Sequence, residues 1–320
     1  MFHGKCLVIT ALAAIILASG ANTSGAAIGD IEFSFTNLPT LDPAVDGVYE
    51  GWAIIGGMPV STGIFNVDAM GNPVDPVSGN PIPLFNAGSD LTTATSIKIS
   101  IEPPMDPDPA PSGLIVLSGT TMGGMSDMSA ALPDLSMLAS ATGSYILATP
   151  SDDSVDTMNG NQGIWYLSMP GPAAGLVGLP SLGSSWTYEG WIVDISSGSP
   201  MPYSTGTFDS AAMTDSDAAG CNGGGPPFPG QDLTAFHCGP IFDLDSGDFV
   251  AVISIEPVPD NGPGPFLFKP LAGMIPTDAL TMGGALGNQT NATFPTGTAS
   301  FGEALPAEDL GWSELKNMYR

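Results

Sequence analysis

Tyr49-Glu50-Gly51-Trp52 and Tyr188-Glu189-Gly190-Trp191 are the same word, and each opens the same series of landmarks. Ser61-Thr62-Gly63-Ile64-Phe65, Asp90-Leu91-Thr92, Ile99-Ser100-Ile101-Glu102-Pro103 and Thr121-Met122-Gly123-Gly124 follow the first copy. Ser204-Thr205-Gly206-Thr207-Phe208, Asp232-Leu233-Thr234, Ile253-Ser254-Ile255-Glu256-Pro257 and Thr281-Met282-Gly283-Gly284 follow the second, in the same order. A duplicated folding unit accounts for this, and it bounds the architecture before any chemistry is considered. Tyr188 lies 139 residues after Tyr49, but Glu256 lies 154 after Glu102. The second copy therefore carries an insertion, placed around Cys221 and Cys238.

Around these words the chain reads as strands broken by turns. Glycine (42) and proline (31) separate short runs rich in Val, Ile, Thr, Phe and Tyr, a strand-and-turn pattern. Ile31 to Phe35 alternates apolar and polar, and Ile97, Ile99 and Ile101 share one face against Ser96, Lys98 and Ser100. Ser144 to Ala148 is expected to close the first unit, and Thr298 to Phe301 to be the last strand. The fold class expected is all-β, with two tandem β-sandwich (Ig-like) domains; two linked barrels fit the same pattern. The organisation expected is a leader over 1–21, a first repeat over 28–149, a linker over 150–161, a second repeat over 162–303 and a tail over 304–320. Met122 to Leu138 is poor in strand formers and could hold a short helix. The tail has helical character, with Leu310, Trp312, Leu315 and Met318 forming an apolar stripe.

The N-terminus reads as an export signal: Lys5, then an apolar run from Cys6 to Leu17, then Ala18-Ser19-Gly20-Ala21. A membrane-spanning helix needs about 20 apolar residues, and this run is shorter. Membrane contact is then expected only if the signal stays uncleaved. The protein is expected outside the cytoplasm, periplasmic or extracellular. There Cys221 and Cys238 are expected to form a disulfide, with free thiols or a metal pair as the alternative.

With 32 acidic residues against 5 basic ones, the chain carries a formal charge of −27. Phosphate backbones and anionic lipid headgroups need Lys and Arg, so nucleic acid is excluded as a partner. His237 is the single histidine beyond the leader, and no Gly-x-Ser-x-Gly elbow accompanies it. Zinc catalysis needs more ligands than the chain holds, and no phosphate loop or dinucleotide fingerprint occurs. No catalytic residues are assigned and no cofactor is expected. Glu50 and Glu189 are read as partners for backbone or hydroxyl groups. Their duplication argues against the divergent environments that a catalytic acid pair needs. Glu102 and Glu256, each before a proline, are read as strand ends. Tyr49, Trp52, Tyr188 and Trp191 complete the structural motif, with the tryptophans as core anchors. Asp243, Asp245 and Asp248 resemble part of a calcium loop. The run also suits a solvated turn, so Ca2+ is a secondary expectation. Asn288-Gln289-Thr290 and Asn291-Ala292-Thr293 are glycosylation sequons.

Tyr-Glu-Gly-Trp, then Ser-Thr-Gly-x-Phe, then Ile-Ser-Ile-Glu-Pro before a proline-rich turn resembles the extracytoplasmic C-terminal domain of anti-sigma-K-type factors. Ser112 to Gly119 is similar to that family's closing strand, and the likeness covers both repeats. The resemblance implies a β-sandwich outside the membrane that is not an enzyme. This chain has no cytoplasmic helical domain and no internal membrane helix, so the holding of a sigma factor is not carried over. The resulting expectation is an exported binding or sensor-like protein of the cell envelope, its partner an envelope or extracellular protein. The alternative is an extracellular structural or adhesion protein, stiffened by calcium.

Overall fold

The computed structural model describes residues 28–103, 108–151, 159–217, 224–233, 242–259 and 262–302. The leader, Cys221, His237, Cys238, most of the linker and the tail lie outside the described residues.

The protein is all-β. The strands of the first half are β1 (Asp30–Thr36), β2 (Val48–Ile55), β3 (Met58–Val67), β4 (Pro73–Val74), β5 (Phe85–Asn86), β6 (Ala94–Glu102), β7 (Ile115–Met122), β8 (Met125–Ala130) and β9 (Thr142–Leu147). Those of the second are β10 (Gly163–Trp165), β11 (Leu167–Ser168), β12 (Ala173–Ala174), β13 (Leu176–Val177), β14 (Trp186–Asp194), β15 (Met201–Phe208), β16 (Gly230–Asp232), β17 (Phe249–Pro257), β18 (Phe268–Met274), β19 (Gly284–Asn288) and β20 (Thr296–Phe301). Three single-turn helices, α1 (Leu135–Leu138), α2 (Ala279–Met282) and α3 (Thr290–Thr293), sit in connections. Met122 to Leu138 holds a short helix as expected, α1, between β8 and β9, and also contains β8 itself. The hairpin tips explain the glycine pairs. Gly56-Gly57 (φ 58°, 84°) and Gly123-Gly124 (φ 59°, 72°) are two-residue turns in the left-handed region, which matches strand twist and suits glycine.

Each half builds one nine-stranded antiparallel sheet, and the halves exchange their last strands. The first sheet runs β4-β3-β2-β6-β7-β8-β20-β1-β5, and the second runs β15-β14-β17-β18-β19-β9-β10-β16, with β13 added beside β9. β20, from the end of the second repeat, lies between β8 and β1 of the first; β9, from the end of the first, lies between β19 and β10 of the second. The expectation that Ser144 to Ala148 closes its own unit is corrected here. β9 and β20 are equivalent strands, Thr142-Gly143-Ser144-Tyr145 and Thr296-Gly297-Thr298-Ala299, so either slot accepts the same pattern. Sequence alternation selects a face but cannot say which copy of a duplicated slot a strand will enter.

One sheet curls into a half-barrel and the other into a nearly closed barrel. A continuous apolar cluster runs through both, from Ile31, Phe33, Tyr49 and Phe65 to Tyr166, Tyr188, Ile253 and Phe268. Phe33 on β1 stacks on Phe65 of β3 with ring centroids 5.9 Å apart, although these strands are not neighbours in the sheet. Burying rings of this size dominates such a core. The tryptophans expected at its centre lie elsewhere. Trp52 pairs with Lys98 and Trp191 with Val252, on the face opposite Ile97, Ile99 and Ile101 and their counterparts. Both are buried, at 1% and 3% exposure, but neither belongs to the shared cluster.

Candidate functional site

The repeated words converge on one constellation in each unit. The tryptophan on β2 or β14 donates its indole N–H to a serine on the neighbouring strand: Trp52 to Ser100 and Trp191 to Ser254, both at 2.8 Å. That serine donates in turn to the carboxylate two residues on, Ser100 to Glu102 and Ser254 to Glu256. Alternation places tryptophan, serine and glutamate on the same face. The carboxylates also accept backbone N–H groups: Glu102 from Ser112 at 3.0 Å, and Glu256 from Phe266 at 2.9 Å. A buried carboxylate is costly unless it is hydrogen-bonded, and charge-assisted bonds to backbone N–H groups are among the stronger ones. Glu102 and Glu256 thus tie the proline-rich turn after β6 or β17 back onto the end of its own strand.

The other letters of the word also face inward or along the sheet. Tyr49 donates to the Pro39 carbonyl at 2.8 Å and Tyr188 to the Pro180 carbonyl at 2.7 Å. Burial holds both phenols well above their usual range. Glu50 accepts from Ser61 and Glu189 from Ser204. Those serine oxygens also accept from Gly63 N–H at 3.2 Å and Gly206 N–H at 3.1 Å, shaping the bulge opposite Trp52 and Trp191. A Cβ at Gly51 would come within 3.0 Å of the Phe33 ring, and one at Gly190 within 2.8 Å of Tyr166. Every residue of Tyr-Glu-Gly-Trp is therefore engaged in packing or hydrogen bonding inside the unit. The serine hydroxyls accept from tryptophan and donate to carboxylate groups, an arrangement that fixes neighbouring strands to one another.

The second unit holds a polar cluster without a counterpart in the first. Tyr166 follows directly on β10, is fully buried and lies near enough to Tyr145 and Asp215 to interact with both electrostatically. Burial raises its phenol above the ordinary range, Tyr145 and the charge of Asp215 adding to the shift; neither its hydroxyl nor that of Thr205 has a hydrogen-bond partner among the described residues. Tyr145 is pushed up to about 12 by burial, and its buried hydroxyl has no hydrogen-bond partner among the described residues. Asp215 lies against Gly206 and accepts the Gly230 N–H at 2.7 Å. It thereby links β15 to β16, the two end strands of the second sheet. Asp232 is buried too, accepting from the Trp165 indole at 2.8 Å and from Ser151 N–H at 2.7 Å. Lys269 donates to the Phe266 carbonyl at 2.6 Å. Burial lowers its pKa, with the charge of Glu256 opposing.

The expected metal run is a turn beside the second sheet. Asp243 and Asp245 share the side-chain amide of Asn161, at 2.7 and 3.1 Å. Asp248 N–H donates to Ser246 Oγ at 3.3 Å, and Gly247 adopts φ 92°. Among the described residues no group of three or more His, Cys, Asp or Glu is arranged to hold a metal ion. The two sequons differ. Both asparagines are exposed, but Asn288 donates its side-chain amide to the Leu138 and Ala141 carbonyls at 2.8 and 2.9 Å, at the strand crossover. Among the described residues no helix is long and apolar enough to cross a membrane.

Sequence reasoning did not single out Ser100 and Ser254 as the middle of each chain of bonds, although both stand in the same repeated word. It also missed Tyr145, Tyr166 and Asp215. Aligning Thr142-Gly143 with Thr296-Gly297 would have set Tyr145 against Ala299 and marked that difference. No family model, curated protein or solved structure matches this chain.

Proposed function

We propose that the chain is an exported, non-enzymatic binding or sensor-like protein of the cell envelope, similar in each repeat to the extracytoplasmic module of anti-sigma-K-type factors. The observation that carries this reading is the complete internal use of the repeated words. A motif spent on Trp–Ser–Glu bonds and on ring packing is a scaffold signature, so the resemblance is one of framework and binding falls to the variable surface. In this reading each curled sheet acts as a sandwich, with β1 facing β3 across a Phe33–Phe65 contact. Cys221 and Cys238 form a disulfide in the insertion of the second repeat.

The test is expression of the full chain in a secreting bacterial host, followed by fractionation and mass measurement of the product. Recovery outside the cytoplasm, shortened by its leader and lighter by one oxidised thiol pair, supports the reading; retention in the cytoplasm with a reduced pair overturns it. Turnover of glycoside or ester substrates that His237→Ala abolishes would overturn the non-enzymatic assignment.

One observation favours the alternative, an extracellular structural or adhesion protein: exchanged strands interlock the two units, which suits a load-bearing role. Its calcium-stiffened form is tested by melting with and without chelator. A native-state ligand raises Tm, so an unchanged Tm in millimolar calcium removes that form.

A further inference from the structure

We propose that the chain associates with a second copy of itself by exchange of β20, the strand of one copy closing the first sheet of the other. The slot that β20 fills belongs to a repeat other than its own. It pairs with β1 from Ile31↔Phe301 to Thr36↔Thr296, and with β8 from Ser129↔Thr296 to Met125↔Ser300. Gly297, Ala299 and Phe301 are buried on its inner face. None of these contacts depends on the first and second repeats being covalently joined. They are the contacts of an exchanged dimer, made here within one chain.

β20 is the better candidate of the two exchanged strands. β9 pairs with β19, β10 and β13, while β20 pairs with β1 and β8 alone. The connection leading to β20, residues 289–295, is held to the first half by few bonds. Asn37 Nδ2 donates to the carbonyls of Ala292 and Phe294 at 3.0 and 3.4 Å, and Thr290 Oγ1 donates to Leu138 at 3.2 Å. The joined chain keeps β20 at an effective concentration of order millimolar, so dilute protein closes on itself. Where local protein concentration approaches that value, as at a crowded envelope, exchange between copies competes. Leaving the slot breaks two strand pairings at once, so the transition is slow and follows partial unfolding. This inference rests on the strand exchange alone and does not depend on the binding reading above.

The experiment mixes two full-length variants, Ser34→Cys and Thr298→Cys. Ser34 and Thr298 are register partners on the outer face, so a disulfide between the two variants requires β20 of one chain to sit in the first sheet of the other. The mixture is taken briefly through partial unfolding in denaturant, refolded over a concentration series, oxidised, and resolved without reductant beside the unsubstituted protein. The expected result is a mixed covalent dimer in excess over random pairing by on the order of tenfold at millimolar protein, falling as concentration falls. A mixed dimer at the random proportion at every concentration, while the doubly substituted chain forms its internal disulfide, overturns the proposal. Failure of that internal disulfide would instead refute the exchanged topology itself.

Discussion

In the first unit the ring lying against the glycine of the repeated word is Phe33; in the second it is Tyr166. Opposite Phe33 on the closing strand stands Ala299; Tyr166 has Tyr145, from the other closing strand, for an electrostatic neighbour. Over the bulge glycine, the first unit places Phe85 above Gly63 and the second places Asp215 above Gly206. Phe33, Phe35, Phe65 and Phe85 thus close one interior with stacked and edge-on rings. Tyr145, Tyr166, Thr205 and Asp215 close the other with hydroxyl and carboxylate groups. Even a shared landmark diverges: Asp90 is an exposed turn residue accepting from Thr92, whereas Asp232 is buried and holds Trp165 and Ser151. The frame, set by the Trp–Ser–Glu bonds, is indifferent to what fills it. An apolar filling costs nothing in hydrogen bonding. A polar one must satisfy each buried group or lose stability.

Alkali is expected to have the largest effect. Tyr49, Tyr145, Tyr166 and Tyr188 all have folded pKa values raised by burial, and three of the four lie in the second sheet. An unfolded phenol ionises near pH 10. Stability contributed by keeping these phenols neutral is therefore complete below about pH 10 and is lost as pH climbs through the folded values. Tyrosinate absorbance should rise together with loss of the fold, and Tyr145→Phe with Tyr166→Phe should move both to higher pH. Smooth titration of the buried tyrosines with the fold intact would break the comparison.

Alanine at the repeated glycine comes next. Gly51→Ala and Gly190→Ala force a methyl into Phe33 or Tyr166, and overpacking of this kind costs about 1–3 kcal/mol. The methyl would also meet Thr62 Oγ1 or Thr205 Oγ1 at 2.3 Å, the same in both units, so the two losses in a denaturant melt should be similar. Trp52→Phe and Trp191→Phe should each lower stability by about 1–3 kcal/mol by leaving Ser100 or Ser254 without its indole donor. The two losses should agree within about 1 kcal/mol; a loss at one site alone would show that the frames are not equivalent. Tyr145→Phe should have the smallest effect, within about 0.5 kcal/mol of zero or slightly stabilising. It removes a buried hydroxyl that lacks a partner.

Much of the frame was legible in the sequence. Alternation at Ile31 to Phe35 and at Ile97 to Ile101 marked strands and their inner faces, and the repeated words marked two units. Three things were not legible. Burial of Trp52 looks identical from the sequence whether it faces the core or the opposite side, because the opposite face is itself covered there, with Ser100 and Glu102 buried too. Strand exchange was hidden because Thr142-Gly143 and Thr296-Gly297 satisfy either slot equally. The polar cluster joins β9, β10, β15 and the Asp215 loop, residues brought together only by that exchange. Asp243, Asp245 and Asp248 read as a possible ligand run from spacing alone, yet Asn161, distant in sequence, supplies the donor that two of them share.

The exchanged closing strands are the centre of this account, and a disulfide map tests them most directly. Ser34→Cys is combined with Thr298→Cys in one chain and with Ser144→Cys in another, each chain carrying a protease site within residues 152–158. After oxidation, cleavage and denaturation without reductant, the account predicts that the first variant keeps its two halves covalently joined. The second should fall into two free fragments with its engineered thiols unpaired. A disulfide between positions 34 and 144, with none between 34 and 298, would mean each repeat closes on its own last strand and would contradict the account.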